Sequence, residues 1–304
     1  MSKVVVLTAP PGLTRQILSS PKAMISGAIA ALLILSAAFA PWIAPHDPFA
    51  LGTFNLMDSE LPPIWVGGSD PRFLLGTDTQ GRDVLSAILY GMRVSLIVGF
   101  AAVAISAGVG TLLGLVAGFR GGWLDAVLMR IADVVLSFPT ILIALLVSGI
   151  ARGILPDARQ GDYAVYVLIL AIAINEWTQY ARTVRGQTMV EASLDYIKAA
   201  RICGLSDRRI LQRHILPNIL SPVIVIATIN LGLAVLAEAT LSFLGVGMPV
   251  TQPSLGTLIR IGNENLFSGI WWVVVFPAAT LVSLVLSVNL FGDWLRDALN
   301  PRFG

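Results

Sequence analysis

Three carboxylates lie within or at the edges of long apolar runs of this chain: Asp133, Glu176 and Glu238. An ionisable group in that setting is costly unless it faces protein or water, so it marks a solute pathway or a bond between helices. Asp133 follows Arg130 by three positions, a spacing that pairs the two on one helix face. Glu176 can pair with Arg182 where its run ends. Glu238 has no basic neighbour on its own run, and pathway lining and an interhelical hydrogen bond are both open to it. Catalytic chemistry has little to work with. No Gly-Lys pair exists to build a phosphate-binding loop, and neither a zinc-binding H-E-x-x-H helix nor a G-x-S-x-G nucleophile elbow is present. The two histidines, His46 and His214, fall on opposite predicted sides of a membrane, and the single cysteine, Cys203, can form neither an intrachain disulfide nor a cysteine metal site.

The elements that hold these groups are dictated by hydropathy. Of 304 residues 56% are apolar and 12% charged, with a mean hydropathy of +0.80. That is more apolar material than a soluble core of this size needs. Roughly 20 apolar residues span a bilayer as a helix. Runs of about that length occur at 23–44, 95–118, 131–150, 163–177, 219–245 and 270–291, the fourth being short. The first carries an A-x-A pattern at Ala38 and Ala40, but its apolar stretch is too long for a secretory signal and Pro41 follows the would-be cut, so it reads as a retained span. The fold expected is an all-α polytopic membrane protein of six transmembrane helices, since lipid offers no partners to an open backbone and no barrel-like alternation appears.

Charge sets the orientation, because basic residues are retained on the cytoplasmic side. Lys3, Arg15 and Lys22 precede the first span. The loop after it carries Asp47, Asp58, Glu60, Asp70, Asp78 and Asp83 against Arg72, Arg82 and Arg93. Between the fourth and fifth spans Arg182, Arg185, Lys198, Arg201, Arg208, Arg209 and Arg213 stand against Glu191, Asp195 and Asp207, which places that loop in the cytoplasm. Arg296 and Arg302 agree, so both termini are expected inside. The resulting division is a cytoplasmic tail over 1–22, a transmembrane domain over 23–292 with an outward loop at 46–92 and a cytoplasmic loop at 180–218, and a cytoplasmic tail over 293–304. The net charge of +2 is accounted for by this orientation, and nucleic-acid binding is not indicated.

The cytoplasmic loop is longer than a connector needs to be. Residues 194–202 suit a helix, Gly204 offers a stop, and Ser206 can cap a second helix on which Ile210, Leu211 and Ile215 are apolar while Arg208, Arg209 and Arg213 are charged. On charge alone this is a solvated, positive-inside loop. Ala199, Ala200 and Gly204 add small residues that let another protein's surface approach the backbone.

Here the chain resembles the membrane permeases of binding-protein-dependent ABC importers, whose cytoplasmic loop carries E-A-A-x(3)-G-x(9)-I-x-L-P. The matching positions are Lys198, Ala199, Ala200, Gly204, His214, Ile215, Leu216 and Pro217, with Lys198 in place of Glu and His214 in place of Ile. The block LGTDTQGRDVLSAILYGMRVSL at 75–96 is similar to a signature of the dipeptide and oligopeptide branch, and AEATLSFLGVG at 237–247 to its fifth-span ending; the likeness is to the C-type subunit. The resemblance implies that Lys198, Ala199, Ala200, Gly204, Leu205, Ser206, Ile210, Arg213, His214, Leu216 and Pro217 couple to a cytoplasmic ATPase. It further implies a heterodimer with a second homologous permease, two ATPase subunits holding the ATP and Mg, an extracytoplasmic solute-binding protein, and a bacterial-type inner membrane. This chain would itself bind no cofactor.

Asp78, Arg82 and Asp83, ahead of the short amphipathic stretch 84–90, read as a local salt-bridged cover over the span ends or as part of the docking face for the binding protein. Gly110, Gly114 and Gly118 recur every four residues and form a smooth packing face toward either this chain or a partner. Pro139 is expected to kink or open the third span. The rival from another class is a self-contained secondary carrier, which calls for broken helices in repeated halves; no convincing repeat is seen. A membrane-anchored scaffold would explain the basic loop but not buried acids. Related permeases handle dipeptides, longer peptides, glutathione and nickel complexes, so peptide is the expected class and the individual solute is left open.

Overall fold

The first helix, α1 (Pro21–Ala38), starts where Ser20 caps it, accepting from the Ala23 amide, and where Pro21 occupies a first-turn position whose missing N–H costs nothing. The computed structural model describes residues 16–17, 20–49, 56–154 and 160–299. The tail residues Lys3, Arg15 and Arg302 lie outside them. Among the described residues all regular structure is helical apart from one isolated bridge between Thr77 and Asp83, the rest being turns and irregular segments such as 59–83 and 244–254.

The second helix, α2 (Val84–Arg120), is capped by the Asp83 carboxylate and stopped by Gly121 at φ 64. It has 37 residues. At the α-helical rise that makes it about 55 Å long, well beyond a hydrocarbon core of roughly 30 Å. It therefore begins eleven residues before the apolar run that hydropathy marks at Ser95, and the stretch 84–90 is its first two turns. Next come α3 (Gly122–Leu136) and α4 (Thr140–Ile154), the third span as expected but broken, with a 90° bend at 137–139. Pro139 lacks the amide that would continue the ladder.

Helix α5 (Gln160–Ala192) is twice as long as the apolar run at 163–177 suggested. Its second half is polar on one face, which hid it from hydropathy, yet it stays helical because the other face packs along α2. Gly110 lies against Trp177 and Tyr180, Gly114 against Ala181 and Val184, and Gly118 against Arg185 and Thr188. The small-residue face thus meets this chain's own helix. Residue numbers rise together along both partners, so α2 and α5 run parallel, which requires one return crossing between them, made by α3 and α4.

After the short helix α6 (Asp195–Ile202), the chain enters α7, which runs through Asp207–Ile210, a π-helical turn at Leu211–Ile215 and Leu216–Phe243. Helix α7 is antiparallel to α2, with Gly99 against Leu231 and Val235. Helix α8 (Leu255–Glu264) caps the end of the bundle opposite α6, and α9 (Trp272–Ala298) closes it, antiparallel to α7, with Gly232 beside Asn289 and Gly292 beside Thr228. Among the described residues five helices are long and apolar enough to cross a membrane, six when the bent pair counts as one span.

Large apolar side chains remain exposed along the bundle, such as Leu32, Leu112, Leu146 and Val282. In lipid that is the expected outcome, since helix association there relies on close packing rather than on hydrophobic burial.

Candidate functional site

Two features of the bundle carry chemistry: a helix pair at one end and a polar groove in the middle. The pair is α6 and the first turns of α7. Ile197, Ile210 and Ile215 are fully buried in a cluster with Leu115, Tyr180, Val184, Ile219 and Val223, which fixes the pair to the bundle. Between the two helices the Leu205 amide donates to Ala200 O at 3.1 Å and the Gly204 amide to Arg201 O at 3.0 Å, with Gly204 at φ 77. This is the Schellman turn that a glycine permits after a helix. Ser206 starts α7 through its carbonyl, which accepts from Arg209 and Ile210; its hydroxyl makes no capping bond, contrary to what the sequence suggested.

The outer surface of the pair is exposed. Lys198, Ala199, Gly204, Ser206, Arg213 and Pro217 face out, Ala200, Leu205, His214 and Leu216 are half-buried, and Ile202 is 87% exposed at the tip beside Cys203. Ser206, Arg208, Arg209, Gln212 and Arg213 line a shallow depression of about 380 Å³. A tie that the sequence did not reveal holds the pair at its base. The Tyr196 hydroxyl donates to Glu191 Oε1 at 2.5 Å, and Asn218 Nδ2 donates to the same oxygen at 2.5 Å. Burial first, then the Glu191 bond, pushes the Tyr196 phenol up. Arg201 stacks on Phe119 at 5.0 Å, and Arg185 forms a two-pronged pair with Asp125.

The groove, of about 550 Å³, lies between α5, α7 and the α3–α4 break. Its polar lining includes Thr140, Asn175, Glu176, Gln179, Arg182, Asn230 and Thr240, with Leu136, Ile141, Leu233 and Leu236 among its apolar wall. Asn175 Nδ2 donates to Thr140 Oγ1 at 2.5 Å, and Asn230 Nδ2 to Gln179 Oε1 at 3.1 Å. Asn175 Oδ1, Glu176 Oε2 and Asn230 Oδ1 are buried without a hydrogen-bond partner. Of these lining residues only Glu176 and Arg182 stood out from the sequence. The amides did not, since polar uncharged residues scattered over two helices show no spacing until the helices are placed side by side.

The ion pairs expected within spans are redistributed. Arg182 approaches Asp133 at 3.9 Å, so Arg182 serves the acid assigned to Arg130, and Glu176 has no basic partner among the described residues. Glu238 faces away from the groove, fully buried between α7 and α2, where Ser95 Oγ donates to Oε2 and Ser242 Oγ to Oε1, each at 2.6 Å. The Ser242 hydroxyl in turn accepts from the Met248 amide at 3.0 Å. Glu238 thereby ties α2, α7 and the 244–254 segment together.

At the far end, Asp78, Arg82 and Asp83 are each 3% exposed and point inward. Asp78 Oδ2 accepts from Arg82 Nε at 2.7 Å, and Asp83 Oδ2 accepts from the Ser86 amide and hydroxyl at 3.0 and 2.5 Å. Exposed charges there include Glu60 and Arg72, the latter paired with the half-buried Asp70 and Asp58; the Arg72 hydrogen bonds hold the Asp70 carboxyl below the usual carboxylate range.

Membrane-crossing helices, a polar groove that lipid cannot cover without cost, and an anchored basic helix pair define a solute-transport subunit. The chain belongs to the family of binding-protein-dependent transport system inner membrane components, whose model matches residues 110–304. A second model, the N-terminal TM domain of oligopeptide transport permease C, matches residues 13–63. Among curated relatives, the dipeptide transport system permease protein DppC of Haemophilus influenzae is 39% identical over 89% of this chain and 87% of its own length. The di/tripeptide transport system permease protein DppC of Pseudomonas aeruginosa is 38% identical over 89% and 85%. The glutathione transport system permease protein GsiD of Escherichia coli is 38% identical over 92% and 86%. A solved structure described as an amino acid ABC transporter with histidines matches with a TM-score of 0.53 at 16% identity, over 70% of this chain and 94% of that one, and shares the fold. The protein is a multi-pass inner-membrane permease subunit of the ABC transport type, and the self-contained carrier is not supported.

Proposed function

We propose that this chain supplies half of the translocation pathway of an ATP-driven importer of di- or oligopeptides, with the groove as its pathway wall and the α6–α7 pair as its seat on a cytoplasmic ATPase. The observation that carries the reading is the helix pair. Three fully buried isoleucines make it move with the bundle, while its arginines, Ala199 and Gly204 face outward. A solvated connector has no need of such anchoring. Closure of two ATPases, which hold the ATP and Mg, would swing the pair, and α7 would carry that motion to the groove it lines. A second permease covers the groove, the α6 end faces the cytoplasm with both termini, and a solute-binding protein docks over the 56–83 end. The peptide class follows the relatives named for dipeptides and di/tripeptides.

Cys203, the only cysteine and exposed at the tip of the pair, provides the test. A membrane-impermeant maleimide is expected to label it in inverted vesicles, to fail in right-side-out vesicles, and to be blocked when the ATPase subunits are co-expressed. Labelling from the outside, or equal labelling with and without the ATPases, would overturn the arrangement.

A further inference from the structure

The groove's unpartnered atoms have one chemistry in common. Asn175 Oδ1, Glu176 Oε2 and Asn230 Oδ1 are all hydrogen-bond acceptors, all buried, and all belong to residues lining the same groove. Their donor counterparts, Asn175 Nδ2 and Asn230 Nδ2, are already engaged with Thr140 and Gln179. A buried acceptor without a donor is costly, and for a carboxylate more so. Beside Asn230 the Tyr180 hydroxyl, itself buried without a partner, can turn one O–H toward the set; what the three acceptors together still lack is a group with several N–H donors, no acceptor and a positive charge. A primary ammonium has that character. The Arg182 side chain does not supply it: its guanidinium sits toward Asp133, at 3.9 Å and half in solvent.

We propose that this groove holds the ammonium end of the transported peptide, with Glu176 as its countercharge and the Asn175 and Asn230 carbonyls completing the cradle. This rests on the peptide-importer reading above. A peptide amino terminus is largely protonated at neutral pH, and the opposite end of the same molecule is a carboxylate. Arg182 lines the same groove six residues further along α5. Six residues are about 9 Å along a helix axis. Extended di- and tripeptides span roughly 7–11 Å. The α5 positions of Glu176 and Arg182 are therefore offset along the helix axis by about the length of a short peptide, with Gln179 between them on the same groove wall.

The test uses the assembled transporter without its binding protein, so that selection by that protein does not mask the groove. Weak binding of trialanine and of N-acetyl-trialanine, which lacks the ammonium, is followed by saturation-transfer NMR, alongside ATP-dependent trialanine uptake by the complete system. Glu176→Gln should weaken trialanine binding about tenfold or more, the worth of one charge-assisted hydrogen bond, and leave the N-acetyl peptide unchanged. Glu176→Asp, which keeps the charge, should retain the preference for the free amine, and it decides the matter if the Gln variant does not assemble. If wild type takes up trialanine but binds both peptides alike, or Glu176→Gln weakens both equally, the ammonium subsite is refuted and the importer reading stands. If the complete wild-type system takes up no trialanine, the peptide reading itself fails, and the subsite with it.

Discussion

Removing the Asp78 carboxylate tests whether the outer segment is held by a buried ion pair. Asp78 accepts three hydrogen bonds, from the Gln80 amide at 2.8 Å, the Arg82 amide at 2.9 Å and Arg82 Nε at 2.7 Å. The Arg82 side chain is 3% exposed, donates once more to Val250 O at 3.1 Å, and has Nη2 without a partner. At an effective dielectric of about 20 the gross attraction at this separation is about 6 kcal/mol. Desolvation of both ions offsets much of that in the intact protein. In Asp78→Ala, however, the guanidinium stays buried and unpaired, so the cost should be about 3–5 kcal/mol.

The loss is local to the turn that joins the outer segment to α2, where the Asp78 amide donates to Arg82 O and the Val84 amide to Gly76 O. Hydrogen–deuterium exchange of peptides covering 76–84 measures it directly. An opening equilibrium shifted by that amount speeds exchange by about 10²-fold or more. The double variant Asp78→Ala/Arg82→Met removes the stranded charge together with its partner and should recover most of the protection. Two results would refute the reasoning: exchange in Asp78→Ala within about fivefold of wild type, or a double variant whose loss equals the sum of the singles. Lost uptake with unchanged exchange in Asp78→Asn would instead place the residue in contact with solute or binding protein.

Gly204→Val forces a β-branched residue into the left-handed conformation at φ 77, at a cost of about 1–2 kcal/mol in the turn; peptide-stimulated ATPase activity of the complex is expected to fall while membrane insertion is retained, and Gly204→Asn should be the mildest substitution. Gly114→Leu drives a side chain against Ala181 O, only 2.5 Å from where its Cβ would sit, so α2 and α5 must part. A loss of about 1–3 kcal/mol, read as a lower detergent melting temperature, is expected. Glu238→Gln keeps an oxygen for one serine hydroxyl and should preserve assembly, whereas Glu238→Leu strands the Ser95 and Ser242 hydroxyls and should lower the yield of assembled complex. Assembly of the Leu variant at wild-type yield would remove the structural role assigned to this carboxylate.

Span existence was legible in sequence because lipid imposes a length and a hydropathy on any helix that crosses it. Span limits were not. Asp83 starts α2 well outside the apolar run, and α5 continues beyond 177 through Gln179, Arg182 and Arg185 because its opposite face packs on the glycines of α2. Hydropathy averages over a helix and so cannot see two faces. The same averaging explains why the sequence paired Glu176 with Arg182 and left Glu238 open between pathway and interhelical bond. Both are acids in apolar runs, yet one faces a groove and the other two serine hydroxyls, a difference set by helix rotation. The Gly204 turn was legible because its cause is local: a left-handed residue between two helices favours glycine.

Helix α7 joins the three regions that the proposed mechanism needs. Its first turn belongs to the exposed pair, its middle contributes Asn230, Leu233 and Leu236 to the groove, and its last turns hold Glu238 and Ser242. The π-helical turn at 211–215 lies between the first of these regions and the rest. One surplus residue in a helical turn shifts the register of everything beyond it. Here it lets Ile210 and Ile215 both be fully buried while Arg213 faces out. A regular α-helix places residues five apart about 140° from one another, and could not direct both isoleucines into one cluster as readily. The π turn therefore fixes the pair to the rod, and in the mechanism proposed above displacement of the pair would pass to the groove through a helix whose far end is held to α2 by the Glu238 carboxyl.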